Sequence, residues 1–177
     1  MSKSKVRLAI IGCGAVTRNY HLPATLSLSA QNEIEVTWLI DRDIEKAKDL
    51  AQRFNVKNYG ADYKQILGTA DAAILAVPHS LHSPIAVDLL GKGIHVLCEK
   101  PIAVSVEEAL KMVEAANASN RKLAVGFIRR FMPAANLMRI LIATGALGRI
   151  LNIKAEEGYV YNWPVTTFSF WEHKQSG

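Results

Sequence analysis

The sequence predicts an α/β protein: a doubly wound parallel sheet, followed by the beginning of a second unit that opens with a helix and an alternating strand. Three observations carry this. Short apolar runs alternate with helical segments through residues 6–127, the rhythm of repeated βαβ units. The first run, VRLAII over residues 6–11, passes directly into Gly12-Cys13-Gly14 and then into a helix. After Phe127 the character changes, and one longer alternating segment, RILNIKAEEGYVY, reads as a strand with a solvated face.

Val6, Leu8, Ala9, Ile10 and Ile11 suit a strand buried on both faces. A strand that turns at once into a helix needs backbone without a Cβ, which Gly12 supplies, while Gly14 lets a pyrophosphate approach the main chain. The helix over residues 15–29 aims its free N–H groups and positive dipole end at that turn. Thr17 replaces the third glycine of the dinucleotide fingerprint, a position that serves helix–strand packing more than phosphate contact. The strand over 34–40 ends at Asp41, whose carboxylate suits the adenosine ribose hydroxyls and repels a 2′-phosphate. The alternative makes Asp41 only a cap for the helix starting near Asp43.

That helix runs over 43–54, followed by a short strand near 56–59, a helix near 62–68 and the strand DAAILAVP. A helix over 82–92 gives the strand IHVLCE at 94–99. The helix over 105–119 opens with Ser105 and Glu108 in a capping-box spacing and leads to a strand over 122–127. Pro133 then introduces a helix over 134–144. The expected boundaries are residues 1–127 for the nucleotide-binding domain and 128–177 for the start of the second.

Composition narrows the function. The net charge is +5 and the pI near 9.3, but Lys3, Lys5, Arg7 and the Arg129-Arg130 pair are scattered among acids. No basic helix or aromatic-interleaved stripe appears, so nucleic acid is not an expected partner and the charge mildly favours anionic ligands. Cys13 and Cys98 have no metal or disulfide spacing, and a reducing cytoplasm is the simplest location. Ile10-Ile11-Gly12-Cys13 mimics a lipoprotein cleavage box, but the preceding apolar stretch is short and contains Arg7. No apolar run approaches a membrane span.

Glu99-Lys100-Pro101 ends the fifth strand. A lysine there sits at the edge of an open α/β sheet where ligands bind, and the proline holds it in an extended conformation. Against an oxidised nicotinamide, burial and the ring charge both disfavour the ammonium, which suits Lys100 to proton handling. The plain alternative is a surface Glu-Lys pair before a helix. His79 and His82 have a metal-like spacing without a third ligand, so helix start and cofactor contact account for them better than zinc. His21 in the first helix and His95 in a strand read as structural or ligand-adjacent.

Taken together, IIGCGAVTRNYHLPA, LAVPHSLHSPIA, VLCEKPIAVSVEEA and VGFIRRFMPA resemble the Gfo/Idh/MocA oxidoreductases, in order and spacing, over nearly the whole chain. The resemblance implies a Rossmann domain for NAD, with NADP as the alternative, and a C-terminal α/β domain with an open antiparallel sheet that holds sugar or polyol substrates. It implies that Gly12, Cys13, Gly14, Ala15 and Val16 form the pyrophosphate loop and that Asp41 and Arg42 select the adenosine end. Ala76, Val77, Pro78, His79 and His82 would cover the cofactor; Glu99, Lys100 and Pro101 would contact it too, with Lys100 catalytic; and Arg129 would bind the cofactor or lie near substrate. It further implies a homo-oligomer in the full-length protein.

In the family, a segment like SFWEHKQSG precedes further glycines and a catalytic Asp and His, whereas this sequence stops at Gly177. His173 is a poor substitute, lying ahead of the glycine run. The chain alone is therefore expected to bind dinucleotide without turnover, and its aromatic tail from Tyr159 to Trp171 to be uncovered, with disorder beyond about Asn162. The reading from another class is a non-catalytic NAD(H)-binding sensor, which fold alone does not exclude.

Overall fold

The computed structural model describes residues 5–31, 33–156 and Gly158. Six strands form one parallel sheet: β1 Val6–Ile11, β2 Ile34–Ile40, β3 Asn58–Gly60, β4 Ala72–Leu75, β5 His95–Cys98 and β6 Leu123–Val125. Their order is β3-β2-β1-β4-β5-β6, with every adjacent pair parallel. The order reverses between β1 and β4, which makes their carboxyl ends the switch point where open α/β sheets bind ligands.

Alternate residues of the central strands feed two cores, as the period of two requires. On one face Leu8, Ile10, Leu39 and Ile74 pack with Leu22 of α1 (Leu22–Ala30) and with Ala47, Leu50 and Ala51 of α2 (Ile44–Arg53). On the other, Ala9, Ile11, Ala73, Leu75 and Val96 pack with Ile85, Leu89 and Leu90 of α3 (His82–Gly91) and Met112 of α4 (Val106–Ala118). Full burial of such a leucine or isoleucine stabilises by about 1.5–3 kcal/mol. The sheet is thus covered on both sides, which its uninterrupted apolar strands required.

Local chemistry adjusts three expected elements. The segment expected as a helix near 62–68 is one 3-10 turn, Tyr63–Ile66, with Asp62 and Gln65 closing a capping box. Leu67 is already extended and Gly68 has φ +75°, so the helix stops there. The first helical run begins at Ala15, passes through a π turn at Thr17–His21 and continues as α1. Ser105 caps α4 by accepting from the Glu108 N–H at 3.2 Å.

The chain divides at the Gly126–Phe127 junction into two compact units. The second contains a 3-10 turn, Ile128–Phe131, and α5, Pro133–Ala143. The strand expected over 149–161 is not formed at 150–156, which carry no regular structure. Alternation prepares a strand's faces, but a strand exists only through a neighbour's hydrogen bonds, and the described residues of this unit offer none. The aromatic tail and His173 lie outside the described residues. Among the described residues, no helix is long and apolar enough to cross a membrane.

Candidate functional site

The parallel ladder runs one residue past each strand and so aligns the loops that follow. Gly12 N–H donates to the Ile40 carbonyl at 2.7 Å, Ala76 N–H to Ile11 at 2.8 Å, and Glu99 N–H to Leu75 at 2.9 Å. Asp41 N–H reaches the Gly60 carbonyl at 3.1 Å, and Gly126 N–H the Cys98 carbonyl at 2.9 Å. Asp41, Gly12, Ala76, Glu99 and Gly126 therefore stand side by side along one edge.

At the centre Gly12 has φ +98°, and a Cβ there would overlap the Ala76 carbonyl. Glycine is thus required twice, for its backbone conformation and for the close approach of two loops. Gly14 differs, since an added Cβ would meet no atom within 4 Å. Gly14 is exposed and Ala15 and Val16 are half-buried. Arg18 N–H donates to the Gly14 carbonyl at 3.0 Å, closing the first turn, so the preceding N–H groups face outward without intrahelical acceptors. Thr17, wholly buried, donates its hydroxyl to the Gly12 carbonyl at 2.5 Å. The residue in the third glycine's place thereby ties the helix to the turn.

Asp41 is bound into this loop. Its Oδ2 accepts from the Cys13 N–H at 2.7 Å and its Oδ1 from the Asp43 N–H at 2.9 Å. Asp41 does not cap α2: Asp43 is the N-cap residue and makes no side-chain cap, and from the start of that helix Asp41 accepts only the N–H of Asp43 itself. A carboxylate offers about four acceptor sites, so each oxygen keeps one for a further donor. Arg42 beside it is exposed. Cys13 contributes only its backbone. Its buried Sγ lies 3.7 Å from the Ile40 carbonyl, and burial, then the Asp41 charge, push the thiol up to about 12.

His82 requires a correction. It was expected to contact the cofactor, but its side chain is wholly buried. Its Nδ1 lies 2.8 Å from the Pro101 carbonyl and its Nε2 3.0 Å from the Val77 carbonyl. It links the loop after β4 to the loop after β5 and presents nothing to a ligand. Burial lowers its pKa, against the two carbonyls, which favour the charged ring.

This has a sign. A histidine whose folded-state pKa lies below about 6.5 binds fewer protons folded than unfolded in that window. Its contribution is fully present above pH 6.5 and is lost as pH falls through the lower folded value. Thermal unfolding followed from pH 8 to pH 5 is expected to show a falling midpoint below about 6.5, and His82→Gln to flatten that slope. An equal slope in the variant would exclude His82 as its source. Among the described residues with shifted pKa values, the carboxyls Asp71, Glu99 and Glu107 titrate lower and the cysteines and Tyr63 higher.

Val77 and His79 are half-buried in the same loop, and Pro78 is exposed. Lys100 and Pro101 are exposed beyond β5, joined by a cis peptide bond. Arg129 lies on the 3-10 turn of the second unit. Among the described residues, no three of His, Cys, Asp and Glu form a metal cluster.

Sequence reading alone did not reveal the placement of Glu99. Its Oε2 accepts from the Lys100 N–H at 3.1 Å, and its Oε1 lies 3.0 Å from His21 Nε2. Burial pushes the Glu99 carboxyl up, but the close approach of His21, the bond from the Lys100 N–H and their charges bring it below the usual carboxylate range. No spacing rule links residues so distant in sequence; only the sheet order does.

A glycine turn and outward helix N-terminus at the β1–β4 switch point, with a carboxylate closing β2, define a dinucleotide-binding Rossmann unit. The chain belongs to the Gfo/Idh/MocA family: the model described as "Oxidoreductase family, NAD-binding Rossmann fold" matches residues 6–127. Glucose-6-phosphate 3-dehydrogenase of Bacillus subtilis is 31% identical over 148 residues, covering 84% of this chain and 41% of its own length. Inositol 2-dehydrogenase 4 of Saccharopolyspora erythraea is 31% identical over 154 residues, covering 85% and 45%. The WlbA dehydrogenase of Chromobacterium violaceum, crystallised with NADH and UDP-GlcNAcA, superposes with a TM-score of 0.77 at 28% identity, covering 84% and 43%. The chain spans less than half the length of these relatives.

Proposed function

We propose that this chain is the nicotinamide-binding part of a dehydrogenase that oxidises a CH–OH group of a sugar, polyol or related alcohol, or reduces the ketone. One juxtaposition carries the reading: the glycine turn, Asp41 and Lys100 share one sheet edge at the switch point. The site fits a dinucleotide. Gly14 leaves open space where a pyrophosphate must pass, and the helix N-terminus at Ala15 to Thr17 supplies donors and a positive dipole end. Asp41 and Arg42 would hold the adenosine end, and Val77, Pro78 and His79 would lie over the cofactor. When bound, the nicotinamide ring supplies the hydride acceptor or donor.

The chain's own residues do the rest. Lys100 holds the reacting oxygen through its ammonium, stabilising negative charge there and exchanging a proton with it. Glu99 and His82 hold the loops that carry Lys100 and Val77. On the family resemblance, residues 128–177 would begin the substrate domain, and Arg129 belongs to that part of the chain. The relatives named above are dehydrogenases of a phosphorylated sugar and of inositol, which supports substrates of that class.

The Asp41 carboxylate is tethered at both oxygens and cannot turn aside to admit a 2′-phosphate. NADH is therefore expected to bind roughly tenfold or more tightly than NADPH, and Asp41→Ala to bring the two within a few-fold. Calorimetric titration of both cofactors decides it, and equal or tighter NADPH binding would remove Asp41 as the selector. Assay of the whole protein against a sugar and polyol panel, read at the NADH absorbance band, tests the reaction. Tight cofactor binding without turnover on any member would favour the sensor.

A further inference from the structure

Glu99 is a junction of three elements. It follows β5, its Oε2 accepts from the Lys100 backbone N–H at 3.1 Å, and its Oε1 stands 3.0 Å from Nε2 of His21 on the first helical run. Just after β6, Gly126 lies beneath it: an added Cβ would come within 3.4 Å of Oε1. The pair is largely withdrawn from solvent, with 17% of the His21 side chain and 19% of the Glu99 side chain exposed. The His21–Glu99 approach is a close polar contact rather than an aligned hydrogen bond, since Nε2 is buried without a hydrogen-bond partner of good geometry.

A carboxylate that bonds only the N–H of the next residue is free to swing about its own side-chain torsions. An imidazole packed 3.0 Å from its other oxygen limits that freedom. The bond to the Lys100 N–H then constrains the backbone from which the Lys100 side chain leaves the sheet. We propose that His21 is a positioning residue for Lys100, acting through Glu99, and that it sets the direction of the lysine without touching substrate or cofactor. The proposal rests on the reading of Lys100 as the group that holds the reacting oxygen.

The groups that bear on Glu99 are few. His21 faces it from the first helical run, Lys100 adds charge from its own loop, and Gly126 after β6 brings none. His95 and Lys122 line an apolar groove with His21, and Arg18 on the same run bonds Asn19.

The test compares His21→Leu and His21→Gln with the unaltered chain by nuclear magnetic resonance, following the Lys100 amide and the Glu99 carboxyl carbon through an acid titration. In the unaltered chain the Lys100 amide is expected to move with the Glu99 titration. In His21→Leu the Glu99 carboxyl is expected to titrate at higher pH and the Lys100 amide to shift upfield as its acceptor is released. His21→Gln keeps an N–H at the Nε2 position and is expected to return the amide toward its original place. An unchanged Lys100 amide and Glu99 titration in His21→Leu would overturn the proposal. If that variant does not fold, a His21→Ala spectrum in which the Lys100 amide and the Glu99 titration are both unchanged overturns it instead.

In the whole protein, His21→Leu is expected to lower kcat roughly 10- to 100-fold, the scale of a small misplacement, with KM for the dinucleotide within about twofold. A matched loss of dinucleotide binding and kcat would reduce His21 to a structural residue. Absence of turnover in the unsubstituted protein would instead overturn the dehydrogenase reading, and the amide measurement would still decide the position of His21.

Discussion

Lys100→Ala, and equally Lys100→Met, are expected to lower turnover of the whole protein by roughly two to four orders of magnitude, the usual range for a positioned acid–base group. That corresponds to about 3–5 kcal/mol of lost transition-state stabilisation. Dinucleotide affinity is expected to stay within a few-fold, for a structural reason. The contact that anchors this loop is the Lys100 backbone N–H to Glu99 Oε2, and it survives either substitution. The side chain itself is exposed, so its removal opens no cavity, and Met preserves most of the aliphatic stem. The loss should fall on kcat and on kcat/KM together, because the ammonium is needed most where charge develops on the oxygen. Steady-state kinetics paired with calorimetric titration of NADH separate the effects. Turnover near the original value would take Lys100 out of the chemistry and leave it as a surface cation.

The backbone logic of the site was legible from sequence because glycine, proline and strand patterning act locally. An apolar run ending in Gly12 announces a strand and a turn, and Asp41 at the end of the next run announces a neighbouring loop. The side-chain logic was not legible, because it depends on which strands become neighbours. His82 reads identically whether its ring faces solvent or core. Only the adjacency of β4 and β5 sets the Val77 and Pro101 carbonyls on either side of it. His21 and Glu99 meet for the same reason, across elements with no sequence proximity. Thr17 looked like a weakened glycine position, yet its hydroxyl makes a bond to Gly12 that glycine lacks. The segment at 150–156 fails in the opposite way: its alternation is clear, but a strand is a relation between two segments.

Gly12→Ala and Gly14→Val are expected to fail in opposite ways. Gly12 sits at φ +98°, where an L side chain costs about 1–2 kcal/mol. Its Cβ would also press into the Ala76 carbonyl, and overpacking of that kind costs about 1–3 kcal/mol more. Relief requires the β1 and β4 loops to part, and both are tied into the ladder by the Gly12 and Ala76 N–H bonds. A domain of this size loses about 4 °C of midpoint per kcal/mol, so Gly12→Ala is expected to lower Tm by roughly 10 °C or more. Gly14 has no positive φ, and its Cβ would meet nothing within 4 Å. Gly14→Val should therefore fold with Tm almost unchanged. Its two methyl groups would stand in the open space before the helix N-terminus, where the pyrophosphate must lie against the backbone. NADH affinity is expected to drop by about 100-fold or more, equivalent to about 3 kcal/mol. Thermal unfolding and calorimetry on the two variants give the four numbers needed. If Gly14→Val bound NADH normally while folded, the pyrophosphate would not pass over this turn, and the cofactor site assigned to the β1–β4 switch point would be wrong.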